Sequence, residues 1–335
     1  MEKYSYNAED KSLLTPPICN FFAGPLVTAL PESFPANLIT ICANSFVFIA
    51  FIIAYVNYVN GTSRFLWLIP ILCFAYIVGD YSDGMQARKT HTGSPLGEYL
   101  DHFLDSFVTG LLTGTLMLSF RITNPVLLFC TYQFLYAGQI AAFWERFKTG
   151  VMRFSKFSTS EGIMAIAIMA ALYPVRIVYE SNLKPALFGL SIPQIIILLG
   201  FAAAGYTAAV SIVRTKHLSI RLALQILFSM IIGAVLVWYV RSSILQQTVL
   251  IIFYNVFFIS DLLAATNQKQ KESFPDFIVP ISCTAFFIAP HYADIIQILQ
   301  AGYLLCRIII RFTKFFRNYR QYWYWKNPKA EKKNG

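Results

Sequence analysis

Four aspartates stand close together in a chain that is otherwise poor in charge. They lie within the stretch "DYSDGMQARKTHTGSPLGEYLDHFLD" at 80–105 and are Asp80, Asp83, Asp101 and Asp105. Carboxylates near a bilayer are costly unless they are paired, bound to metal or exposed to water. Clustered acids also repel one another, and Mg²⁺ or Mn²⁺ relieves that repulsion because both ions take carboxylate oxygens as ligands. The stretch therefore predicts a site for two divalent cations, an arrangement that serves phosphoryl chemistry.

The spacing of these acids places them on two helix faces. The first helix carries two acids and two small residues within one arc of roughly 100°: Asp80, Asp83, Gly84 and Ala87. The second helix repeats one stripe at i, i+4 and i+8: Gly97, Asp101 and Asp105. The sequence "TGSP" at 92–95 predicts the turn between them. We therefore expect the four carboxylates to face one cleft.

The residues around the acids indicate what the cleft binds. Small residues let a bulky ligand approach the backbone, and Arg88 adds a bidentate phosphate donor at the same rim. The chemistry implied is metal-assisted transfer at a pyrophosphate. A solvated loop whose acids merely offset nearby bases is rejected, because eight fixed positions fit the unbroken pattern D-x2-D-G-x2-A-R-x8-G-x3-D-x3-D.

Composition predicts an all-α, polytopic membrane protein. Of the 335 residues 56% are hydrophobic and 13% charged, whereas soluble domains carry about 25% charged residues. Segments of about 20 apolar residues read as membrane-spanning helices. About ten such spans are predicted, near 38–58, 65–80, 101–120, 125–144, 161–179, 189–213, 219–240, 244–265, 275–290 and 295–313.

The flanking segments predict three parts of the chain. Residues 1–37 are expected to lie in the membrane interface, residues 38–313 to form the transmembrane catalytic domain, and residues 314–335 to form a basic, aromatic tail. Lys and Arg concentrate in the loops on the side of the aspartates, which predicts that the site is cytoplasmic. The tail is interpreted as an anchor on anionic lipid and not as a nucleic-acid-binding element.

The eight-position pattern resembles the signature of the CDP-alcohol phosphotransferase family of integral membrane enzymes. Within that family, "DGMQARKTHTGSPLGEYLDHFLDS" looks like the choline and ethanolamine phosphotransferase branch, and "PANLIT" at 35–40 is similar to the segment before that branch's first span. The chain departs from the branch at Phe103 and Leu104, where Gly-Cys is usual. This departure affects the expected shape of the pocket on the side that binds the acceptor, and it does not change the expected class of reaction.

The resemblance implies a six-helix core and a role for each motif residue. Asp80, Asp83 and Asp101 would be metal ligands, and Asp105 a metal ligand or the general base. The nucleotide and pyrophosphate pocket would be lined by Gly84, Ala87, Arg88 and Gly97, with Asn37 touching the donor.

Two further residues are candidates for proton transfer. The unperturbed pKa of histidine suits a base, which makes His102 a candidate, and Glu161 at the start of the fifth span would orient its imidazole. The alternatives stay open: His102 as a hydrogen-bonding partner of Asp101, and Glu161 as an acid stabilised by its helix N-terminus.

The implied reaction transfers phosphocholine or phosphoethanolamine from CDP-choline or CDP-ethanolamine to diacylglycerol, with membrane lipids around the site. One alternative is phosphatidyl transfer from CDP-diacylglycerol to a small alcohol, and another is a transporter or non-catalytic scaffold. A homodimer is left open. The identity of the membrane is also left open, between that of the endoplasmic reticulum or Golgi and the bacterial inner membrane.

Overall fold

The computed structural model describes residues 8–154, 159–216 and 218–323, and these residues are mostly helical. The helices are α1 (Thr15–Ile18), α2 (Gly24–Ala29), α3 (Ala36–Val59), α4 (Leu68–Lys89), α5 (Pro95–Ser119), α6 (Pro125–Thr149), α7 (Thr159–Leu172), α8 (Arg176–Leu183), α9 (Ile192–Thr215), α10 (Ile220–Ala234), α11 (Ile244–Gln268), α12 (Ile278–Ser282), α13 (Thr284–Ile288) and α14 (Ala293–Tyr319). One turn of π-helix, Cys19–Ala23, joins α1 to α2, and another, Val235–Val240, extends α10. Two short strands, β1 (Ala8–Asp10) and β2 (Met152–Phe154), pair in parallel.

Local sequence explains where the helices of the site begin and end. The Ser94 side chain accepts a hydrogen bond from the Gly97 amide, and Pro95 occupies the first turn, so α5 starts directly after the predicted turn. Asn124 caps α6 in the same way. Gly150, at φ +72°, ends α6 in the left-handed conformation that glycine adopts without strain.

Helices occupy all ten predicted spans, but fewer than ten meet the length and apolarity of a membrane span. Within the described residues six do: 36–59, 125–149, 192–215, 220–240, 244–268 and 290–322. The pair α7 and α8, bent by 92°, makes a seventh if it is one span. The other predicted spans fall on α4 and α5, whose site ends are polar, and on the short helices at 278–288. The all-α membrane fold is therefore confirmed, and ten as a count of spans is not.

Helix α3 packs against both helices that carry the aspartates. Both α4 and α5 pack against α3, while α7 packs against α4 and α5. On the far side, α11 packs between α5 and α14 and is the most enclosed of the long apolar helices. Helices α3, α7 and α11 thus each pack against one or both of the helices that carry the aspartates.

The two ends of the chain continue the helical fold. Residues 15–29 form a nearly unbroken helix with Phe21, Phe22 and Leu26 exposed. The interfacial location of residues 1–37 stays a prediction. Helix α14 runs through the predicted boundary at 313 as far as Tyr319. The last part of the predicted tail, 324–335, lies outside the described residues.

Candidate active site

The four aspartates come together between α4 and α5. Asp80 interacts with each of the other three, and Asp101 interacts electrostatically with Asp83 and Asp105 as well. Asp83 is buried, whereas the other three are half-buried. The spacing on two helix faces and the short intervening turn therefore produce the convergence that the sequence implies.

The donor set suits a hard divalent cation. Asp101, His102 and Asp105 each offer a ligand atom, and these atoms lie within 4.8 Å of one another. The Oδ1 atom of Asp101 is buried and has no hydrogen-bond partner among the described residues. Carboxylates held this close repel one another in a medium of low dielectric, and a bound cation offsets the repulsion. The residues present therefore fit Mg²⁺ or Mn²⁺.

Two hydroxyl groups hold the aspartates in place, and sequence reasoning missed both. The Tyr76 hydroxyl donates to Asp105 Oδ1 at 2.6 Å, and the Thr40 hydroxyl donates to Asp83 Oδ2. Both donors are buried. Tyr76 precedes Asp80 by four residues and so lies on the same face of α4, which is a signal that could have identified it. Thr40 lies within "PANLIT", one helical turn after Asn37.

The predicted pocket residues lie on α3, α4 and α5, the helices that pack around the aspartates. A Cβ atom placed on Gly97 would lie 3.2 Å from Asn37 Oδ1, so α3 and α5 approach closely at that point. The Arg88 guanidinium lies beside Gly84, with Nη1 3.4 Å from the position of a Cβ there. Ala87 is half-buried and Arg88 exposed. The part of α4 that follows Asp83 thus combines two small residues, Gly84 and Ala87, with the exposed guanidinium of Arg88, which is available to an anionic ligand.

His102 lies beside two of the aspartates. Its Nδ1 atom is 3.8 Å from Asp101 Oδ2 and 4.0 Å from Asp105 Oδ2. The imidazole is buried, and the Phe143 ring of α6 packs against it edge to face. These distances exceed a direct hydrogen bond but are within the reach of a small adjustment of the side chain.

Glu161 lies at the N-terminus of α7 and binds the start of the chain. Its Oε1 atom accepts hydrogen bonds from the Ser12 hydroxyl at 2.6 Å and from the Leu14 amide at 2.9 Å. The sequence offered no signal for these contacts, because the partners are separated by 149 and 147 residues. Since α7 packs against α4 and α5, Glu161 remains a candidate to orient His102.

Glu98 lies in the same stretch, outside the eight-position pattern, and contributes to the packing of the helices. Its carboxylate pairs with Arg146 of α6, and both side chains are largely buried. Asn267 of α11 approaches the same carboxylate at 3.5 Å. This contact fixes the first turn of α5, three residues before Asp101.

Comparison with known proteins identifies a family for more than half of the chain. Residues 34–207 match the family described as CDP-alcohol phosphatidyltransferase. This region contains the aspartates and spans α3 to most of α9, which is six helical segments if the bent pair α7 and α8 counts as one. It therefore coincides with the part of the fold that builds the cleft.

Individual relatives share about 30% identity with this chain. "Uncharacterized CDP-alcohol phosphatidyltransferase class-I family protein 1" of Dictyostelium discoideum is 30% identical over 48% of this chain and 43% of its own length. Cholinephosphotransferase 1 of Gallus gallus is 30% identical over 50% of this chain and 52% of its own length. Ethanolaminephosphotransferase 1 of Homo sapiens is 30% identical over 45% of this chain and 42% of its own length. The chain thus spans about half the length of the curated relatives it matches.

Proposed function

Because the chain belongs to the CDP-alcohol phosphatidyltransferase family, we propose that it transfers phosphocholine or phosphoethanolamine from a CDP-alcohol to diacylglycerol. The products are a phospholipid and CMP. The observation that carries the proposal is the convergence of the four aspartates in the unbroken family pattern, with hydroxyl donors holding two of them. The choice of head groups rests on the named relatives and on the residues outside the minimal pattern.

The proposed reaction is a displacement at phosphorus. The oxygen of the diacylglycerol hydroxyl forms a bond to the phosphorus that carries the choline or ethanolamine. The bond from that phosphorus to the oxygen of the CMP phosphate breaks, and CMP leaves with the bonding electron pair. The hydroxyl proton passes to a base of the protein. The atoms balance with no further reactant.

The aspartates and Arg88 would both act on the CDP-alcohol donor. Asp80, Asp83, Asp101 and Asp105 would hold two divalent cations, which when bound neutralise the negative charge of the pyrophosphate and the departing CMP. Arg88 is exposed beside Gly84 and would bind a phosphate oxygen of the donor.

Proton transfer falls to His102 or Asp105. A carboxylate that holds a cation is a weak base, which favours the imidazole, and His102 lies within 4.0 Å of both neighbouring carboxylates. A loss of roughly 10²–10⁴-fold in turnover is expected for His102→Ala if it is the base. A loss of less than about tenfold would leave His102 a hydrogen-bonding neighbour of Asp101.

The location of the site suits one water-soluble and one lipid substrate. Lys and Arg are predicted to concentrate in the loops on the side of the aspartates, and on that prediction the donor would enter from the cytoplasm. Diacylglycerol would arrive from the bilayer between the helices that border the cleft.

Donor profiling tests the proposal. The purified protein in detergent with Mg²⁺ is given labelled CDP-choline, CDP-ethanolamine or CDP-diacylglycerol, each with its acceptor. Transfer from the first or second donor to diacylglycerol is expected. Transfer from CDP-diacylglycerol alone would replace the proposal with phosphatidyl transfer, the reaction that the family description names.

A pair of matched variants ties the activity to the cleft. Asp101→Asn should abolish turnover, because it removes one charge from the proposed ligand set. Asp294→Asn, at the start of α14 and bonded to Gln246, should behave as wild type. Near-normal turnover by folded Asp101→Asn would contradict the proposed ligand role.

A further inference from the structure

A side chain of α4 holds the connection between α2 and α3. This α2–α3 loop comprises residues 30–35. The amide nitrogen Nε2 of Gln86 donates to the backbone carbonyl groups of Pro31 at 3.0 Å and of Phe34 at 2.9 Å. Gln86 is fully buried, and a buried donor that loses its acceptors is costly. The loop is therefore fixed on α4 in the native state.

Lys89, one helical turn after Gln86, holds the beginning of the same segment. Its ammonium group donates to the carbonyl groups of Val27 and Leu30, both at 2.8 Å. These carbonyl groups lie at the C-terminal end of α2, where backbone acceptors have no partner within the helix. The two side chains of α4 thus bind four carbonyl groups between residues 27 and 34.

The α2–α3 loop is a tight turn that leads directly into α3. The Phe34 amide donates to the Pro31 carbonyl at 3.0 Å, so that carbonyl accepts both from the turn and from Gln86. At the start of α3 the Leu38 amide donates to the Pro35 carbonyl at 3.1 Å. The proline ring fixes φ at positions 31 and 35, so few backbone bonds between the turn and the helix can rotate. A displacement of the loop would therefore move the first turn of α3.

The beginning of α3 carries two residues of the proposed site. The Thr40 hydroxyl donates to Asp83 Oδ2, and Asn37 Oδ1 lies 3.2 Å from the position of a Cβ atom on Gly97. Gln86 follows Asp83 by three residues on α4. The start of α3 is thus attached to one stretch of α4 at two points, through the loop and through Thr40, and Asn37 lies between these points in the chain.

We propose that Gln86 is a positioning residue for binding of the CDP-alcohol: it holds the α2–α3 loop on α4 and so keeps Asn37 in place opposite Gly97. The inference rests on the proposed function, in which Asn37 and Gly97 border the donor. Gln86 acts without touching the donor through its amide nitrogen, because the loop takes both hydrogens of that nitrogen.

Replacement of the amide tests this role in the full-length protein. Gln86→Met keeps an unbranched side chain of similar length and removes both hydrogen bonds to the loop. The KM for the CDP-alcohol should rise roughly tenfold, because each lost hydrogen bond is equivalent to about two- to tenfold in an equilibrium constant. The kcat and the KM for diacylglycerol should stay within about twofold, since only the start of α3 is released.

Gln247→Met is the matched control. Gln247 is also buried, and its Nε2 atom donates to the Ser242 carbonyl at 2.7 Å, at the start of α11. The two variants lose the same group under the same burial, so general effects of the substitution cancel. If the donor KM of Gln86→Met equals that of Gln247→Met, then the inference is overturned and the proposed function stands. Absence of turnover by the wild type with every donor would overturn both.

A double variant tests whether Gln86 acts through Asn37. Asn37→Ala should itself raise the donor KM, and Gln86→Met should add little to that rise. Independent, multiplying effects of the two substitutions on the donor KM would contradict the inference. Binding of CMP in the presence of Mg²⁺, measured by calorimetry in detergent, should weaken in the same order without any need for turnover.

Hydrogen exchange follows the loop directly. The Phe34 and Leu38 amides should exchange faster in Gln86→Met than in Gln247→Met, because the turn is no longer held on α4. Equal exchange of these amides would overturn the inference. Should Gln86→Met not be recovered in folded form, Lys89→Met decides, because it removes two contacts of the same segment from an exposed side chain. An unchanged donor KM in that variant would then refute the role of the loop.

Discussion

Replacing Tyr76 by Phe removes one hydroxyl group from the fold and leaves the ring in place. That hydroxyl donates to Asp105 Oδ1 at 2.6 Å, and the side chain is 2% exposed. A hydrogen bond to a charged group contributes about 1.5–3 kcal/mol. At 1.36 kcal/mol for each factor of ten, the expected loss of turnover is roughly 10- to 150-fold. The protein should stay folded, because a hydrogen bond within a membrane bundle contributes on average only about 0.6 kcal/mol to stability.

The assay distinguishes the two proposed roles of Asp105. Transfer from labelled CDP-choline or CDP-ethanolamine, whichever the donor profiling selects, to diacylglycerol is measured in detergent across a titration of Mg²⁺. If Tyr76 orients Asp105 as a metal ligand, then the Mg²⁺ concentration at half-maximal rate rises. If it orients Asp105 as a base, then kcat falls at saturating Mg²⁺ and the half-maximal concentration is unchanged.

The control for this variant is Tyr132→Phe. Tyr132 is also fully buried, and its hydroxyl contacts Thr248 between α6 and α11, away from the aspartates. The two substitutions delete the same atom under the same burial, so general effects on packing cancel between them. The reasoning fails if both the rate and the Mg²⁺ dependence of Tyr76→Phe match those of Tyr132→Phe.

Three further predictions follow from other contacts of the site and its scaffold. Thr40→Val removes the hydroxyl that donates to Asp83 and should raise the Mg²⁺ concentration at half-maximal rate roughly 10- to 100-fold. Thr40→Ser keeps the hydroxyl and should leave that concentration unchanged. Equal Mg²⁺ titrations of the two variants would contradict this role. Addition of EDTA should lower the midpoint of thermal unfolding, and Mg²⁺ should restore it, because clustered carboxylates repel one another without a cation. A midpoint that Mg²⁺ does not move would argue against a cation site. Gly110→Ala should destabilise the fold by about 1–3 kcal/mol, because the added methyl group would overlap Ile252 of α11. Gly302 has open space around it, so Gly302→Ala serves as the control. Thermal unfolding followed by tryptophan fluorescence compares the two variants, and equal midpoints would refute the overlap.

The convergence of the aspartates was accessible from sequence because it depends on local geometry. Helix periodicity places Asp80 and Asp83 on one face and Asp101 and Asp105 on another, and the turn between the helices is short. No long-range information enters that argument. The length of the apolar segments predicted a helix in each of them, which the structure confirms.

The groups that hold the aspartates and Glu161 depend on contacts between distant parts of the chain. Thr40 and Asp83 are separated by 43 residues, and Ser12 and Glu161 by 149. Thr and Ser are common residues, and nothing in their local spacing distinguishes these two from hydroxyls that bond to their own helix. Fewer long apolar helices are found than the ten predicted spans, because the polar residues at the site ends of α4 and α5 remove these two from the set and the helices at 278–288 are short.

The contacts of residues 8–15 have a consequence for the order in which the protein folds during synthesis. Lys89 and Gln86 of α4 bind backbone carbonyl groups of residues 27, 30, 31 and 34, so this nearby stretch finds its partners early. Ser12 must wait for Glu161, which at roughly 5–20 residues per second leaves the ribosome about 7–30 s later. The contact of Ser12 with Glu161 therefore forms only after α7 has been made, so this part of the fold joins two segments whose synthesis is well separated in time.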